Sequence, residues 1–239
     1  MISSYAAPGV FTVNHFLSRR DCEKLLDKID QYQHGRKIPT IYRPAADRPL
    51  NYAVIDGHRI ARHLPELLQL YDKVTNFVRT NNDPELAPLV DKRVACNVNI
   101  TPSGGTYRYH YDRNTVTAIL YLNEIDGGGE TECYPNYRLD FLQRKYPRIQ
   151  KPLDSLLQNR VVRSLSGKLT IVRPEAGKLL VMRGKRCLHS VRPVQGNRER
   201  VNVVMAYDYP DVEFDVSHEL NSYLYNDFYE VAGADPNYR

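Results

Sequence analysis

The sequence predicts an α+β domain built on a β-sandwich or barrel, with helices in its N-terminal part. Segments with one apolar face at helical spacing occur before Pro88. After Pro88 come short runs rich in Val, Ile, Thr and Tyr, and turn residues separate these runs. Helices followed by a series of antiparallel strands are typical of an α+β domain.

Length and composition agree with a globular domain. The chain has 239 residues, of which 42% are hydrophobic and 26% are charged, and this excludes a disordered or collagen-like chain. No run of roughly 18 or more apolar residues is present, so we expect no membrane-spanning segment. The N-terminal stretch lacks the basic and apolar regions of a signal peptide, and the four cysteines lie far apart without a CxxC pair. We therefore expect a cytoplasmic protein with reduced thiols.

A short strand and a helix are predicted first, in GVFTVNHFLSRRDCEKLLDKIDQYQ. Ser18 is suited to cap the helix because its hydroxyl can accept a hydrogen bond from a backbone amide of the first turn. Leu25, Leu26 and Ile29 fall on one face at helical spacing, so this face is expected to pack on the rest of the domain.

A loop containing Pro and Arg leads into a strand predicted near Tyr52, Val54 and Ile55. A second helix is predicted in LPELLQLYDKVTNFVR. Its apolar residues have the spacing of one helical face, which indicates a helix packed on a sheet. This apolar stripe consists of Leu67, Leu70, Tyr71, Val74 and Val78.

The strands of the β core are predicted in VACNVNI, TVTAILYLNEI, KLTIVRP, KLLVMR and ERVNVVMAYDY, with turns in TPSGG, DGGG, PEAG and PVQGN. Residues 136–168 interrupt this series and are predicted to form an insertion or lid. We expect one domain over residues 1–239, with a helical part over about 1–88, the β core over about 89–210 and a C-terminal tail over about 211–239.

Charge is unevenly distributed along the chain. The net charge of +5 divides into zero over residues 1–135, +12 over residues 136–207 and −7 over residues 208–239. Two readings of the basic insertion stay open. Its charges are either solvated at the surface, or they form a cationic lid that attracts an anionic substrate or binds the acidic, Tyr-rich tail. The tail itself is predicted to cap the domain or to join a homodimer.

One short motif suggests a metal site. His110 and Asp112 are separated by one residue in the run YRYHYD, so on a strand both side chains face the same way. His189, in CLHSVRPV, lies at the end of another predicted strand and supplies a third candidate ligand. Two histidines and one carboxylate form the facial triad of non-heme Fe(II) oxygenases, and this mixed nitrogen and oxygen set suits Fe(II) better than structural zinc.

A cationic side chain is predicted beside this metal site. Arg200 follows His189 by 11 residues, across the turn PVQGN, and an antiparallel hairpin there returns the chain past the metal. An inward Arg200 would clamp a carboxylate with two parallel hydrogen bonds. Asn202 lies two residues further on and shares the same strand face.

The ordered set of motifs resembles the Fe(II)/2-oxoglutarate-dependent dioxygenases, in particular their prolyl 4-hydroxylase-like branch. The resemblance is carried by YRYHYD, then TAILYLNEIDGGGETECYP, then PEAGKLLVMRGKRCLHSVRPVQGNRERVNVVMAY, and it covers about residues 90–207. FLSRRDCEKLL is similar to the family's opening strand and helix. The resemblance implies an α+β fold with a double-stranded β-helix (jelly-roll) core and N-terminal helices packed on the sheet.

The resemblance also implies roles for the residues of these motifs. His110, Asp112 and His189 would ligate Fe(II), and the 2-oxo acid end of the cosubstrate 2-oxoglutarate would chelate the metal, at which O2 reacts. Arg200 would bind the distal carboxylate of 2-oxoglutarate. Arg198, two residues earlier and expected on the same strand face, competes with Arg200 for this role.

Further cosubstrate contacts are implied less directly. Tyr107 lies three residues before His110, at a position that resembles one that helps to hold the cosubstrate. Asn99, Tyr121 and Asn202 are additional candidates. For Tyr107, Asn99 and Tyr121 a role as core or cross-strand polar residues is the alternative.

Two positions bear on the reaction. The family often has Trp near the end of the last strand, whereas this chain has Ala206 there, which leaves room for a substrate unless Tyr207 fills the space. Asp112 is a carboxylate, whereas related halogenases have Gly or Ala at this position to admit a halide. We therefore expect hydroxylation or a related C–H oxidation rather than halogenation.

The resemblance thus implies a non-heme iron dioxygenase that oxidises a C–H bond and converts 2-oxoglutarate to succinate. We expect a small polar substrate such as an amino acid or natural-product intermediate, and the basic insertion is compatible with an anionic one. Two alternatives stay open. One is a protein or peptide prolyl hydroxylase, and the other is a nucleic-acid oxygenase or inactive binding module that uses the basic surface.

Overall fold

The structure of the chain is a computed structural model that describes residues 3–44, 48–138, 152–153, 155–157, 159–166, 168–210 and 212. Residues 139–151 of the predicted insertion and nearly all of the predicted tail lie outside these described residues, so the division of the chain into one domain stays a prediction. Among the described helices, none combines the length and the apolar character needed to cross a membrane.

Helices and strands alternate in the N-terminal part of the chain, and strands predominate after it. In chain order they are β1 (Ser3–Ala7), β2 (Val10–Val13), α1 (Arg19–Gln33), β3 (Thr40–Arg43), β4 (Leu50–Ile55), α2 (Gly57–His63), α3 (Pro65–Asn81), β5 (Ala87–Pro88), α4 (Lys92–Ala95), β6 (Cys96–Thr101), β7 (Tyr107–His110), β8 (Val116–Tyr121), β9 (Gly127–Gly128), β10 (Thr131–Tyr134), α5 (Arg160–Ser166), β11 (Thr170–Val172), β12 (Leu179–Met182), β13 (Leu188–Val191), β14 (Val194–Gln195) and β15 (Arg200–Asp208).

The two long helices form in the two segments whose apolar residues have helical spacing. The Ser18 hydroxyl accepts a hydrogen bond from the amide of Asp21 and begins α1, as predicted. Pro65 stands in the first turn of α3, where its missing N–H costs no helical hydrogen bond. The predicted apolar stripe of α3 is buried and belongs to the main core, together with side chains of the larger sheet.

The larger sheet has the order β1-β2-β12-β8-β15-β6-β4-β3, and β5 pairs with the end of β15. Neighbouring strands are antiparallel. Successive side chains of a strand point to opposite faces. Val201, Val203 and Met205 of β15 therefore join the core beneath the helices, whereas Arg200 and Asn202 face the other side of the sheet.

The smaller sheet has the order β11-β10-β13-β7, again with antiparallel neighbours. Cys133 and Val172 of this sheet pack with Ile119, Tyr121 and Leu180 of the larger sheet in one buried cluster. The two sheets therefore face each other, and the β-sandwich predicted from the strand pattern is confirmed.

The described part of the predicted insertion packs on the side of the smaller sheet that faces away from the larger one. The guanidinium carbon of Arg163, in α5, lies 3.6 Å from the ring centroid of Tyr109, and that of Arg138 lies 4.7 Å from that of Tyr111. Both arginines are buried. A reading in which the charges of the insertion are solvated is therefore wrong for these two residues, because their cations lie against aromatic rings.

Candidate active site

A cavity lies between the two sheets, on the face of the larger sheet opposite the helices. It encloses about 110 Å³, several times the roughly 10–15 Å³ that one buried water needs. Inward positions of β6, β8 and β15 form one wall, and β7 and β13 contribute to the other. The lining includes Asn97, Asn99, Tyr107, His110, Asp112, Thr117, Ile119, His189, Val191, Arg200, Asn202, Val204 and Ala206.

The three predicted metal ligands meet in this cavity. His110 ends β7 and lies opposite His189 of β13 in the strand register, and Asp112 follows two residues after His110. The Oδ1 atom of Asp112 lies 3.5 Å from the Nε2 atom of each histidine. One ligand atom from each residue lies within 4.8 Å of the other two, so the three groups can bind a single ion.

The orientation of the two imidazoles fits a metal. Nδ1 of His110 lies 2.9 Å from the carbonyl oxygen of Arg108, and Nδ1 of His189 lies 3.0 Å from that of Cys187. A carbonyl oxygen accepts but does not donate, so each Nδ1 carries the proton and each Nε2 presents a lone pair. These lone pairs converge on the Asp112 carboxylate at distances too long for hydrogen bonds, an arrangement that a cation between them would stabilise.

The protonation states of these groups also suit a metal. Burial lowers the pKa of His189 to about 4, so its imidazole is neutral at physiological pH. Burial opposes ionisation of Asp112, but the positive charge of the His189 and His110 side chains in their protonated form and a hydrogen bond from Thr117 hold the pKa of Asp112 below its usual value. The site therefore offers neutral imidazole and an ionised carboxylate, which are the forms that bind metal ions.

Arg200 supplies a buried positive charge to the cavity, with 2% of its surface exposed. It donates from Nη1 to the Oδ1 atom of Asn202 and from Nη2 to the Oγ1 atom of Thr131, at 3.1 Å in the latter case. Its guanidinium carbon lies 5.1 Å from the ring centroid of Tyr121. Within the described residues no carboxylate pairs with Arg200, and its Nε atom is buried without a hydrogen-bond partner. An anionic ligand would complete this arrangement.

Arg198 does not share this position. The expectation that it lies on the same strand face as Arg200 is wrong, because β15 begins at Arg200. The side chain of Arg198 is 68% exposed, and its Nε atom lies 3.8 Å from a carboxylate oxygen of Asp126. Arg198 is therefore a surface residue outside the lining of the cavity.

The other candidate residues surround the same space. Tyr107 and Asn99 line the cavity, and Asn202 contacts Arg200. Tyr121 lies behind Arg200, where its hydroxyl is 2.7 Å from the Oγ1 atom of Thr131. The structure thus brings these candidates together around Arg200 and the three metal-ligand candidates.

Ala206 lines the cavity, as the small residue at this position suggested. Tyr207 points the opposite way, because neighbouring residues of a strand face opposite sides. Its ring centroid lies 5.3 Å from that of Tyr71 in α3. Tyr207 therefore leaves the space beside Ala206 open.

Several contributors were not found from the sequence, among them Thr131, Thr117 and Tyr52. Thr131 accepts from Arg200, Thr117 contacts Asp112, and the ring of Tyr52 stacks on Tyr107 with centroids 4.5 Å apart. The inward parity of β8 could have indicated Thr117, since it shares a face with Tyr121. Thr131 and Tyr52 depend on how distant strands pair, which no local pattern of the sequence indicates.

The sequence and the fold of the chain are similar to those of known proteins. A model of the Halogenase D family matches residues 1–226 of the chain. Comparison with curated proteins finds no match.

Solved structures share the fold at low sequence identity. The prolyl-4-hydroxylase of Pseudomonas putida is 20% identical, with a TM-score of 0.54 over 84% of this chain and 92% of that one. SnoN, a non-heme α-ketoglutarate-dependent epimerase from nogalamycin biosynthesis, is 11% identical, with a TM-score of 0.63 over 95% of this chain and 87% of that one. HygX of Streptomyces hygroscopicus, whose structure has nickel and 2-oxoglutarate bound, is 14% identical, with a TM-score of 0.57 over 87% of this chain and 85% of that one.

These similarities show the fold of the Fe(II)/2-oxoglutarate oxygenases. They confirm the predicted double-stranded β-helix core with N-terminal helices on the sheet, and they confirm at the level of the fold the resemblance to the prolyl 4-hydroxylase-like branch. The match to the Halogenase D family adds that this chain is related to enzymes named for halogenation, which makes the carboxylate at Asp112 informative.

Proposed function

The chain belongs to the Halogenase D family, and from this premise we propose that it is an Fe(II)/2-oxoglutarate-dependent dioxygenase. In the proposed reaction it hydroxylates, or otherwise oxidises, a C–H bond of a small polar molecule such as an amino acid or natural-product intermediate. O2 is consumed and 2-oxoglutarate is decarboxylated to succinate. The observation that carries the proposal is a single cavity that combines the triad of His110, Asp112 and His189 with the buried cation of Arg200.

The triad would hold Fe(II), because two imidazoles and one carboxylate converge on one point. When bound, the iron supplies the activation of O2 that breaks the C–H bond. The carbonyl oxygens of Arg108 and Cys187 keep both imidazoles in the tautomer that presents Nε2 to the cavity. These two hydrogen bonds thereby orient both imidazoles for metal binding.

Arg200 would bind the distal carboxylate of 2-oxoglutarate. Hydrogen bonds to Asn202 and Thr131 fix the plane of the guanidinium, and the ring of Tyr121 lies against it. A planar guanidinium held in this way is suited to two parallel hydrogen bonds with a carboxylate. Tyr107 and Asn99 are further proposed contacts of the cosubstrate, since both line the same cavity.

Asp112 favours oxygenation over halogenation. Its Oδ1 atom faces the two imidazole Nε2 atoms, so this carboxylate would itself be a ligand of the metal. The resemblance of the motifs implies that related halogenases have Gly or Ala here. We therefore propose that this member of the Halogenase D family transfers oxygen rather than a halide.

The remaining lining supports a small, polar substrate with an anionic group. Leu89, Val204 and Ala206 provide apolar contacts, and Arg113 lines the cavity next to Asp112. Of the described residues in the lining, Arg113 and Arg200 carry positive charge and Asp112 carries the negative charge. Arg113 adds a second positive charge to the lining besides Arg200, and this charge would favour a substrate with a carboxylate, a group that a prolyl residue within a peptide lacks.

We also propose a cytoplasmic location and a homodimer joined through the C-terminal tail. The location is supported by four cysteines that lie far apart in the sequence without a CxxC pair. The dimer is supported by the aromatic and acidic composition of residues 211–239, in contrast to the basic stretch before them.

Anaerobic titration with Fe(II) and 2-oxoglutarate, followed by exposure to O2 and detection of succinate, tests the proposed activity. The wild type should form succinate, and His110→Ala and Asp112→Ala should not. His58→Ala is the matched control, since His58 is an exposed histidine outside the cavity. Full succinate production by either triad variant would contradict the metal assignment.

A further inference from the structure

The carboxylate of Asp112 is held on its second oxygen by a chain of two polar side chains, Thr117 and Asn114. We propose that these are positioning residues that restrict Asp112 to one metal-facing oxygen, Oδ1. The proposal rests on the proposed function, because it assigns these residues to the geometry of the same metal site. It concerns residues that act through Asp112 rather than by touching the metal.

The orientation of the Asn114 amide is determined by its contacts. Its Nδ2 atom lies 2.6 Å from the carbonyl oxygen of Val116 and 2.9 Å from the Oγ1 atom of Thr117. The carbonyl oxygen can only accept, so the atom facing it must be the NH2 group and not the amide oxygen. The second proton of this NH2 group then points to Thr117. Asn114 is 8% exposed, so water does not compete freely for these bonds.

The direction of the next hydrogen bond follows from the first. The Oγ1 atom of Thr117 accepts from Asn114, so its own proton is free to be donated elsewhere. The neighbour in reach is the Oδ2 atom of Asp112, which accepts it. The chain therefore runs in one direction, from Asn114 to Thr117 to Asp112, and ends on the carboxylate oxygen that faces away from the histidines.

Gly184 packs against Asp112 and Thr117. Its carbonyl oxygen accepts a hydrogen bond of 3.1 Å from the amide of Asp112. A Cβ atom at position 184 would lie 2.8 Å from both Cβ and Oδ2 of Asp112, and 2.7 Å from Oγ1 of Thr117. Because Gly184 has no side chain, its backbone can pack closely against both Asp112 and Thr117.

The consequence is a carboxylate with two unequal oxygens. Oδ1 lies 3.5 Å from the Nε2 atoms of His110 and His189, and Oδ2 is occupied by Thr117. A ligand that binds through one oxygen leaves three positions of a six-coordinate ion open, whereas binding through both oxygens would take one of these. Two positions for the 2-oxo acid and one for O2 require all three. Thr117 and Asn114 would therefore preserve the position at which O2 reacts.

The test compares Thr117→Val, which removes the hydroxyl at nearly constant shape, with Thr117→Ser, which keeps it. Co²⁺ serves as the metal probe, and its affinity is measured by calorimetry and its coordination by visible absorption, with and without 2-oxoglutarate. Loss of a partner that orients a metal ligand typically weakens metal binding about 10- to 100-fold. We expect a loss of this size, with an altered Co²⁺ spectrum, for Thr117→Val, and values within about threefold of the wild type for Thr117→Ser.

Thr75→Val is the matched control, because the Thr75 hydroxyl is equally buried but donates to the carbonyl oxygen of Tyr71 in α3, at 2.8 Å. It should leave Co²⁺ binding unchanged. If Thr117→Val does not fold, Gly184→Ala tests the same arrangement from the other side and should also weaken Co²⁺ binding.

The outcomes separate this inference from the proposed function. Wild-type affinity and an unchanged Co²⁺ spectrum in Thr117→Val would overturn the positioning role, whatever the enzyme's activity. A wild type that binds Co²⁺ but forms no succinate with Fe(II) would overturn the proposed function while leaving the positioning role to be judged on the Co²⁺ data. A wild type that binds no divalent metal would overturn both.

Discussion

Arg200 and Arg198 are two residues apart in the sequence, but their environments are opposite. Arg200 is buried among Asn202, Thr131 and Tyr121, whereas Arg198 is exposed and pairs with Asp126. A charge that is buried without a carboxylate partner within the described residues is unfavourable unless a ligand neutralises it. This is why we assign the cosubstrate carboxylate to Arg200.

Arg200→Gln is expected to raise the concentration of 2-oxoglutarate needed for half-maximal succinate formation. Loss of one partner of a buried charge pair costs about 2 kcal/mol or more, which corresponds to roughly 30-fold. Arg198→Gln should change this value by less than about threefold, since exposed ion pairs contribute little. A larger effect of the Arg198 variant would assign the cosubstrate carboxylate to Arg198 instead.

At the scale of the elements, β15 lies between the core and the cavity, and its successive side chains point alternately to one and to the other. Val201, Val203 and Met205 lie beneath the helices, while Val204 and Ala206 line the cavity. Because the side-chain period of a strand is two, one strand can stabilise the fold with one face and bind ligands with the other. Ala206 is six residues from Arg200, which is about 20 Å along an extended strand.

Ala206→Trp restores the residue that the family often has near the end of the last strand, and it is expected to fill the cavity at the end distant from Arg200. Substrate-stimulated succinate formation should fall at least about tenfold, because the cavity is small and cannot expand without strain. Binding of 2-oxoglutarate to the metal-loaded protein should change little. A graded series through Ala206→Val provides the control, and loss of 2-oxoglutarate binding in both variants would contradict a substrate site beside Ala206.

The outer side of the smaller sheet is organised around one buried carboxylate, Glu132 of β10. Its two oxygens accept hydrogen bonds from Arg48 at 2.6 Å, from Arg192 at 2.7 Å and from the hydroxyl of Tyr109. Burial opposes its ionisation, but the hydrogen bonds from Tyr109, Arg48 and Arg192 hold the pKa of Glu132 below its usual value. The guanidinium of Arg163, in α5, lies on the ring of Tyr109, whose hydroxyl donates to Glu132. The Glu132 carboxylate therefore also stabilises the packing of α5 on the sheet.

This network predicts a loss of stability in acid. The pKa of Glu132 is lower in the folded than in the unfolded chain, so its contribution is fully present above the unfolded value of about 4.5 and is lost as pH falls through the folded pKa. Glu132→Gln should reduce the free energy of unfolding by about 2 kcal/mol near pH 7 and flatten its decline towards about pH 4. Denaturant unfolding at several pH values measures both effects. Glu124→Gln is the control, because its pair with Arg19 is exposed, and an equal effect there would argue against a special role of Glu132.

For the whole molecule, the distribution of charge is more informative than its total. The net charge of +5 conceals a basic stretch over residues 136–207 and an acidic stretch over residues 208–239. Part of the basic excess is internal, since Arg138, Arg163 and Arg200 are buried. These buried cations lie against aromatic rings or face the cavity, and they are therefore not available to a nucleic acid.

Deletion of residues 211–239 tests the proposed role of the tail. If the tail covers the basic surface or joins two copies, its removal should lower the affinity for an anionic substrate or change the molar mass measured by light scattering. The deletion begins after β15 ends at Asp208, so the described sheets should remain intact. Unchanged affinity together with an unchanged molar mass would rule out both roles.

Local spacing was enough to predict the centre of the site. His110 and Asp112 are two residues apart and their side chains meet, although Asp112 lies beyond the end of β7, and the stripe of α3 is buried because its residues recur at helical spacing. The inward position of Ala206 and the outward position of Tyr207 follow from the alternation of strand side chains once Arg200 is known to face inward. For such residues the relevant neighbours are close in the sequence, so the sequence contains the information directly.

The remaining contacts of the site depended on how strands far apart in the sequence pair with one another. The sequence by itself determined the fold class, the order of the motifs and the identity of the metal-ligand candidates. The tertiary structure decided that Arg200 rather than Arg198 faces the cavity, that Thr131 receives its hydrogen bond, and that four segments of the chain meet around Glu132. Strand register and the first residue of each strand are set by contacts between segments far apart in the chain, and the energy of those contacts exists only when the chain is folded.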